Sequence, residues 1–252
     1  MKQRLISLAT ARRVGCVLAL TLGAGAAHAD LDYIGSMTVT KSVMRSNLNW
    51  VRKHQQCGPA GVNAAGFCIR EQSSPHAQAS PRGARVSLDT GKDFATRNGI
   101  NQLASSFPVE KQPEIAKIFT SLIIEFNKTI PRTYGIPKNN LATAYAAILA
   151  GSYAAYTNRP FPDNAVKPLY QQAERAMSNN PMLAKASMDE KNAQYQIWVG
   201  TAAFMLGWQS NLSKKPNPEQ QAKMQKAGAE ILHSLGVDPG KVRFTRRGME
   251  MD

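Results

Sequence analysis

Residues 187–211 read SMDEKNAQYQIWVGTAAFMLGWQSN. Ser187 stands three residues ahead of Glu190, the spacing at which each side chain bonds the other's backbone N–H at a helix start. Beyond that cap, Tyr195, Trp198, Val199, Phe204, Met205, Leu206 and Trp208 make the segment apolar on most faces. A helix of that kind is surrounded by other helices, so the stretch predicts the centre of a bundle. Its uninterrupted apolar run, IWVGTAAFMLGW at 197–208, falls well short of the ~20 residues that cross a bilayer. It is a buried segment, not a membrane span.

Working outward, PEIAKIFTSLIIEFNKTI at 113–130 repeats Ile115, Ile118, Phe119, Leu122, Ile123, Phe126 and Ile130 at intervals of three and four. That period predicts an amphipathic helix, with Pro113 in its first turn and Pro131 marking its end. LATAYAAILAGSYAAY, after Asn139 or Asn140, is a second helix whose small residues let a neighbour approach closely. A third covers 164–178 through Val166, Leu169, Tyr170, Ala173 and Met177. The capped central helix is the fourth. A fifth runs from Asn217-Pro218 to Leu235, where Gly236 reads as a glycine-terminated end. Five helices in this span can bury one core, so the expectation is an all-α fold, a single bundle of about five helices. KVRFTRRGMEMD alternates Val242 and Phe244 with polar neighbours, as a short strand does, and ARVSL at 84–88 is a candidate partner for it.

Three pieces of this region, IPKNNLATAYAAILAGSYAAYTN, ASMDEKNAQYQIWVGTAAFML and LHSLGVDPGKVRFTRRGM, resemble in order and spacing an uncharacterised bacterial family of exported helical proteins, a domain of unknown function. The resemblance covers roughly residues 94–250 and leaves out the cysteine-bearing N-terminal part. It implies an all-helical secreted fold and no established activity. No functional residue is carried over from it.

The N-terminus has a basic MKQRLISLATARR, a short apolar VGCVLALTLGAGA and AHA before Asp30. This is the pattern of a secretory signal peptide, 1–29, cut after Ala29. Cys16 opens the apolar run, whereas a lipidated cysteine would follow one. Arg12-Arg13 alone is a weak twin-arginine match. Cleavage removes four cations and no acid, lowering the formal charge from +14 to +10. The mature chain is then expected to be periplasmic or secreted, with no integral membrane span.

Export decides the reading of CGPAGVNAAGFC, 57–68. In an oxidising compartment Cys57 and Cys68 are expected to form a disulfide, and closing a loop of this size contributes roughly 3 kcal/mol on the chain-entropy estimate. A redox pair would have two intervening residues, and here there are ten. The nearest histidines, His54 and His76, match no zinc-ligand spacing, so no metal is expected. The organisation is thus a segment at 30–70, whose YIGSMTVT leaves strand and helix both open, a polar linker at 71–93, and the helical domain with its basic tail at 94–252.

Catalytic signatures are absent: no phosphate loop, no His-Glu-x-x-His and no nucleophile turn. His233 near the end of the fifth helix complements the dipole. Asp189 and Glu190 belong to a helix start. The tyrosines and tryptophans follow the apolar faces; Trp50 differs, with Arg52, Lys53 and His54 close behind it. No cofactor is implied. The charge is concentrated at the C-terminal end, in Lys214-Lys215, Lys223, Lys226, Lys241, Arg243, Arg246 and Arg247. Lys241, Arg243, Arg246 and Arg247 are the candidate contact residues for an acidic macromolecule or protein partner in the cell envelope; nucleic acid is not the expected physiological partner. The leading expectation is a non-enzymatic exported binding protein. Two others stand beside it: an envelope hydrolase with dispersed carboxylates such as Glu174 and Glu190, and a small-ligand carrier with a pocket between the second and fourth helices.

Overall fold

A computed structural model of the chain describes Val43 and residues 85–252. Its helices are α1 Asn98–Ala104, α2 Gln112–Tyr134, α3 Leu141–Thr157, α4 Asp163–Ser178, α5 Met188–Lys214 and α6 Pro218–Ser234. Two strands follow, β1 Val242–Thr245 and β2 Gly248–Met251, paired antiparallel. Among the described residues the fold is helical apart from this hairpin.

Three of the long helices, α3, α5 and α6, begin at a side-chain cap. The Asn140 carboxamide accepts from the Ala142 and Thr143 N–H groups, and Asn217 accepts from Gln220 N–H. At α5 the reciprocal cap expected from sequence is complete. Glu190 N–H donates to Ser187 Oγ at 3.2 Å, and Ser187 N–H donates to the Glu190 carboxylate at 2.9 Å. α6 closes with Val237 N–H on the Leu232 carbonyl across Gly236, as the glycine-terminated reading requires.

The core is built on α3 and α5, which lie against each other. α5 is buried from Gln194 through Met205 and packs α1 and α2 on its other side. α3 is buried from Leu141 through Leu149 and carries α4 and α6. Trp198, 2% exposed, meets Tyr145 edge-on at 5.5 Å between ring centres. Small residues set the spacing of the pair, for a Cβ added to Gly151 would come within 2.9 Å of the Ala202 backbone.

The structure departs from the sequence reading in four places. Pro131 does not end α2; the helix runs three residues further and Gly135 closes it in the left-handed conformation, its N–H on the Pro131 carbonyl. One missing N–H in a last turn breaks little. The strand at 242–245 pairs with 248–251, not with 84–88, because the adjacent segment reaches it through a tight turn with almost no loop to close. α1 was not anticipated, being short and lacking a side-chain cap. Residues 85–93, read by composition as the end of a linker, are laid along the bundle. Val86 N–H bonds the Ser178 carbonyl, Leu88 accepts from Leu141 N–H, and Thr90 N–H bonds Asn139. Lys191 Nζ and Asn192 Nδ2 reach out of α5 to the carbonyls of Ser87, Thr90 and Lys92. Backbone hydrogen bonds hold this stretch, which is why its poverty in apolar residues misleads. Cys57, Cys68, Trp50, His54, His76 and the signal peptide expected at 1–29 lie outside the described residues.

Candidate binding surface

The four cations singled out from sequence lie together on the β1–β2 hairpin. Strand alternation sends Val242 and Phe244 inward and Arg243 outward. The chain turns at Arg246-Arg247 and re-enters at Gly248, whose φ of 102° suits a residue without a Cβ. The same absence lets α4 approach, since a Cβ there would lie 2.5 Å from Gln172 Oε1.

Gln172 is what docks the hairpin. Its carboxamide accepts from Met249 N–H at 2.8 Å and donates to the Met249 carbonyl at 3.2 Å, so a side chain substitutes for a third strand. Beneath it Phe244 packs edge-on against Tyr153 and Phe161, at 4.8 and 5.1 Å. The cations therefore sit on a surface anchored from below at two places.

Lys241, Arg243, Arg246 and Arg247 are all exposed. Three of them face acids within the hairpin region. Arg247 Nε bonds Glu250 at 2.6 Å, Lys241 lies 3.8 Å from Asp238, and Arg243 bonds Asp252. Hydrogen bonding from Arg247 holds the Glu250 carboxyl below its usual range. Arg246, at the tip, has no ion-pair partner among the described residues. These intra-hairpin pairs are something the sequence reading missed, although Asp238, Glu250 and Asp252 stand within a few residues of their partners. Lys214 and Lys215 end α5, and Lys223 lies on α6 engaged with Glu219 at 2.7 Å. Neither group belongs to the elements on which the hairpin is docked.

Other candidate residues have local roles. Glu174 accepts from Tyr170 OH at 2.6 Å within α4, and Glu190 completes the α5 cap. His233 is exposed at the end of α6. In the seam between α3 and α5, where one expectation puts a pocket, Gly151 lies close against Ala202. Among the described residues no helix is long and apolar enough to cross a membrane, and no group of three or more His, Cys, Asp or Glu is placed to hold a metal ion.

A second polar cluster joins α2, α5 and the 85–97 segment. Tyr195 OH donates to Asn127 Oδ1, Asn127 Nδ2 donates to Asp93 at 3.0 Å, and Lys138 Nζ meets the other Asp93 oxygen at 2.8 Å. Burial pushes the Tyr195 hydroxyl well up. Burial acts to raise Asp93 too, but donors from Lys138, Asn139 and Asn127, with the Lys138 charge, hold its carboxyl below the ordinary value.

Fold and surface define a class: a helical bundle built on a buried helix pair, with a cationic hairpin docked at its C-terminal end. The chain belongs to the family of unknown function DUF6683, whose model matches residues 10–252. The family therefore also spans the cysteine-bearing N-terminal segment that the sequence resemblance left out. No curated protein and no solved structure matches the chain.

Proposed function

We propose that this chain is an exported, non-enzymatic binding protein whose C-terminal hairpin meets an acidic macromolecule, or an acidic protein partner, in the cell envelope. The observation that supports this is the anchored presentation of four exposed cations: Phe244 and Met249 hold the hairpin from beneath while Lys241, Arg243, Arg246 and Arg247 face solvent. Their ion pairs do not oppose the reading. Exposed pairs are worth at most about 1 kcal/mol, so a denser array of partner carboxylates can displace Asp238, Glu250 and Asp252. The wider surface has the same sign, with twenty-one Lys and Arg against fourteen Asp and Glu between 85 and 252.

Electrostatic capture demands salt sensitivity, because exposed charges are screened over ~10 Å at 0.1 M salt. Retention of the mature protein on envelope fractions is expected to fall steeply between low and moderate salt. The triple variant Arg243→Ala, Arg246→Ala, Arg247→Ala should weaken it further with the helical fold intact. Retention indifferent to salt and to these substitutions would count against the proposal.

A further inference from the structure

At the C-terminal end of α3 the chain turns through Asn158, in the left-handed conformation, into Arg159-Pro160-Phe161-Pro162 before α4 begins. This turn, the last residues of α3 and Gln225 of α6 line an open cleft of about 610 Å³. It lies beside the close approach of α6 to α3 at Gly228. A Cβ on Gly228 would lie 2.5 Å from the Ser152 carbonyl oxygen and 2.7 Å from Tyr156 N, so α6 rests on α3 there. Gln225, one turn before Gly228, faces the opening.

The lining has a distinct chemistry. Tyr156, Pro160 and Pro162 supply flat apolar faces beside Tyr153, whose ring already packs against Phe161 and Phe244, and Arg159 is the lining's single charge. No carboxylate stands on the wall. The hydroxyls of Tyr153 and Tyr156, the guanidinium of Arg159 and the carboxamide of Gln225 make no side-chain hydrogen bond with any described residue. This contrasts with the hairpin, where three of four cations already have acids beside them.

An occupant that suits this wall carries a carboxylate for the planar guanidinium fork, hydroxyls for the phenols and the amide, and a compact ring for the aromatic and proline faces. An apolar ligand would leave four polar heads without partners, at a cost in affinity. The cleft is open, which suits one unit of a chain passing across it better than an engulfed small molecule. Its volume falls within the range of ligand sites, ~300–1,000 Å³.

We propose that this cleft binds a uronic acid unit of an acidic polysaccharide, with Arg159 on the carboxylate, Tyr156 against the sugar ring, and Gln225 on its hydroxyls. The site uses none of the hairpin's four cations, although Tyr153 also packs beneath the hairpin against Phe244, and it does not require the hairpin to bind a partner.

The test is calorimetric titration of the full mature chain with trimers of galacturonate, glucuronate and mannuronate, with their methyl esters, and with acetate. At least one acid trimer is expected to bind. Its methyl ester, the same sugar without the charge, should bind roughly tenfold more weakly or worse, since charge-assisted hydrogen bonds are lost. Arg159→Gln, at an exposed position that leaves the melting temperature unchanged, should reduce affinity to the same extent, and Tyr156→Ala should weaken it as well. Arg246→Ala on the hairpin should leave it unaltered. The proposal is overturned if no acid trimer binds at concentrations up to about 10 mM. It is equally overturned if ester and acid bind alike, if acetate binds as tightly as a trimer, or if Arg159→Gln retains the affinity.

Discussion

At Asp93 three neighbours converge on one carboxylate: Lys138 by a 2.8 Å ion pair, Asn127 by its carboxamide, and Asn139 beside it. Because the folded-state carboxyl lies below the unfolded value, its contribution to stability is fully present above the unfolded pKa of ~3.9 and is lost as pH falls through the folded one. The melting temperature of the wild type should therefore exceed that of Asp93→Asn by a constant margin near neutral pH, and the margin should close below about pH 4. A margin independent of pH would show that the carboxylate's charge is not what holds 85–97 to α2 and α5. Gln172 does a comparable job elsewhere, since its one amide satisfies both backbone groups of Met249. Neither role was legible in the sequence. Asp93 and Gln172 sit in polar stretches, and their partners lie tens of residues away, where no local pattern points.

Elements were far more legible. The three-and-four spacing of Ile115 through Ile130 placed α2, the Ser187–Glu190 cap placed the start of α5, and Gly236 placed the end of α6. All three signals are local, carried within one or two turns of the chain. The small residues of α3 carried a further message, a close neighbour, and that neighbour is α5 at Ala202. A Cβ on Gly151 would press on backbone atoms, which cannot swing aside as a flexible side chain can. Gly151→Val should lower stability by roughly 2 kcal/mol, overpacking outweighing any helix-propensity gain from replacing glycine. In urea this appears as a lower midpoint with an unchanged slope. An unaltered midpoint would mean that the α3–α5 seam has slack. The hairpin was half legible, for β1 was seen in Val242 and Phe244 while its partner was sought at 84–88.

Over the whole molecule, the bundle and the N-terminal segment belong to one family unit, as the match over 10–252 requires. The proposed export of that unit makes a direct prediction. Protein recovered from outside the cytoplasm should begin at Asp30, and its intact mass should rise by two hydrogens on reduction as the Cys57–Cys68 bond opens. A chain that keeps its first 29 residues, or whose thiols react freely before reduction, would remove both the export and the oxidising compartment from the account.

The sequence alone determined that this chain folds by burying helices, where most of them start and stop, and that its C-terminal end is cationic. Those properties are set by side chains within a few residues of one another, through period, capping and composition. The tertiary structure alone decided that 85–93 is sewn to α5 by Lys191 and Asn192, that the hairpin closes on itself and docks on Gln172, and that a cleft opens beside Tyr156. Each of those depends on which helix meets which, and a contact between residues far apart in the chain leaves no period in a single sequence from which to read it.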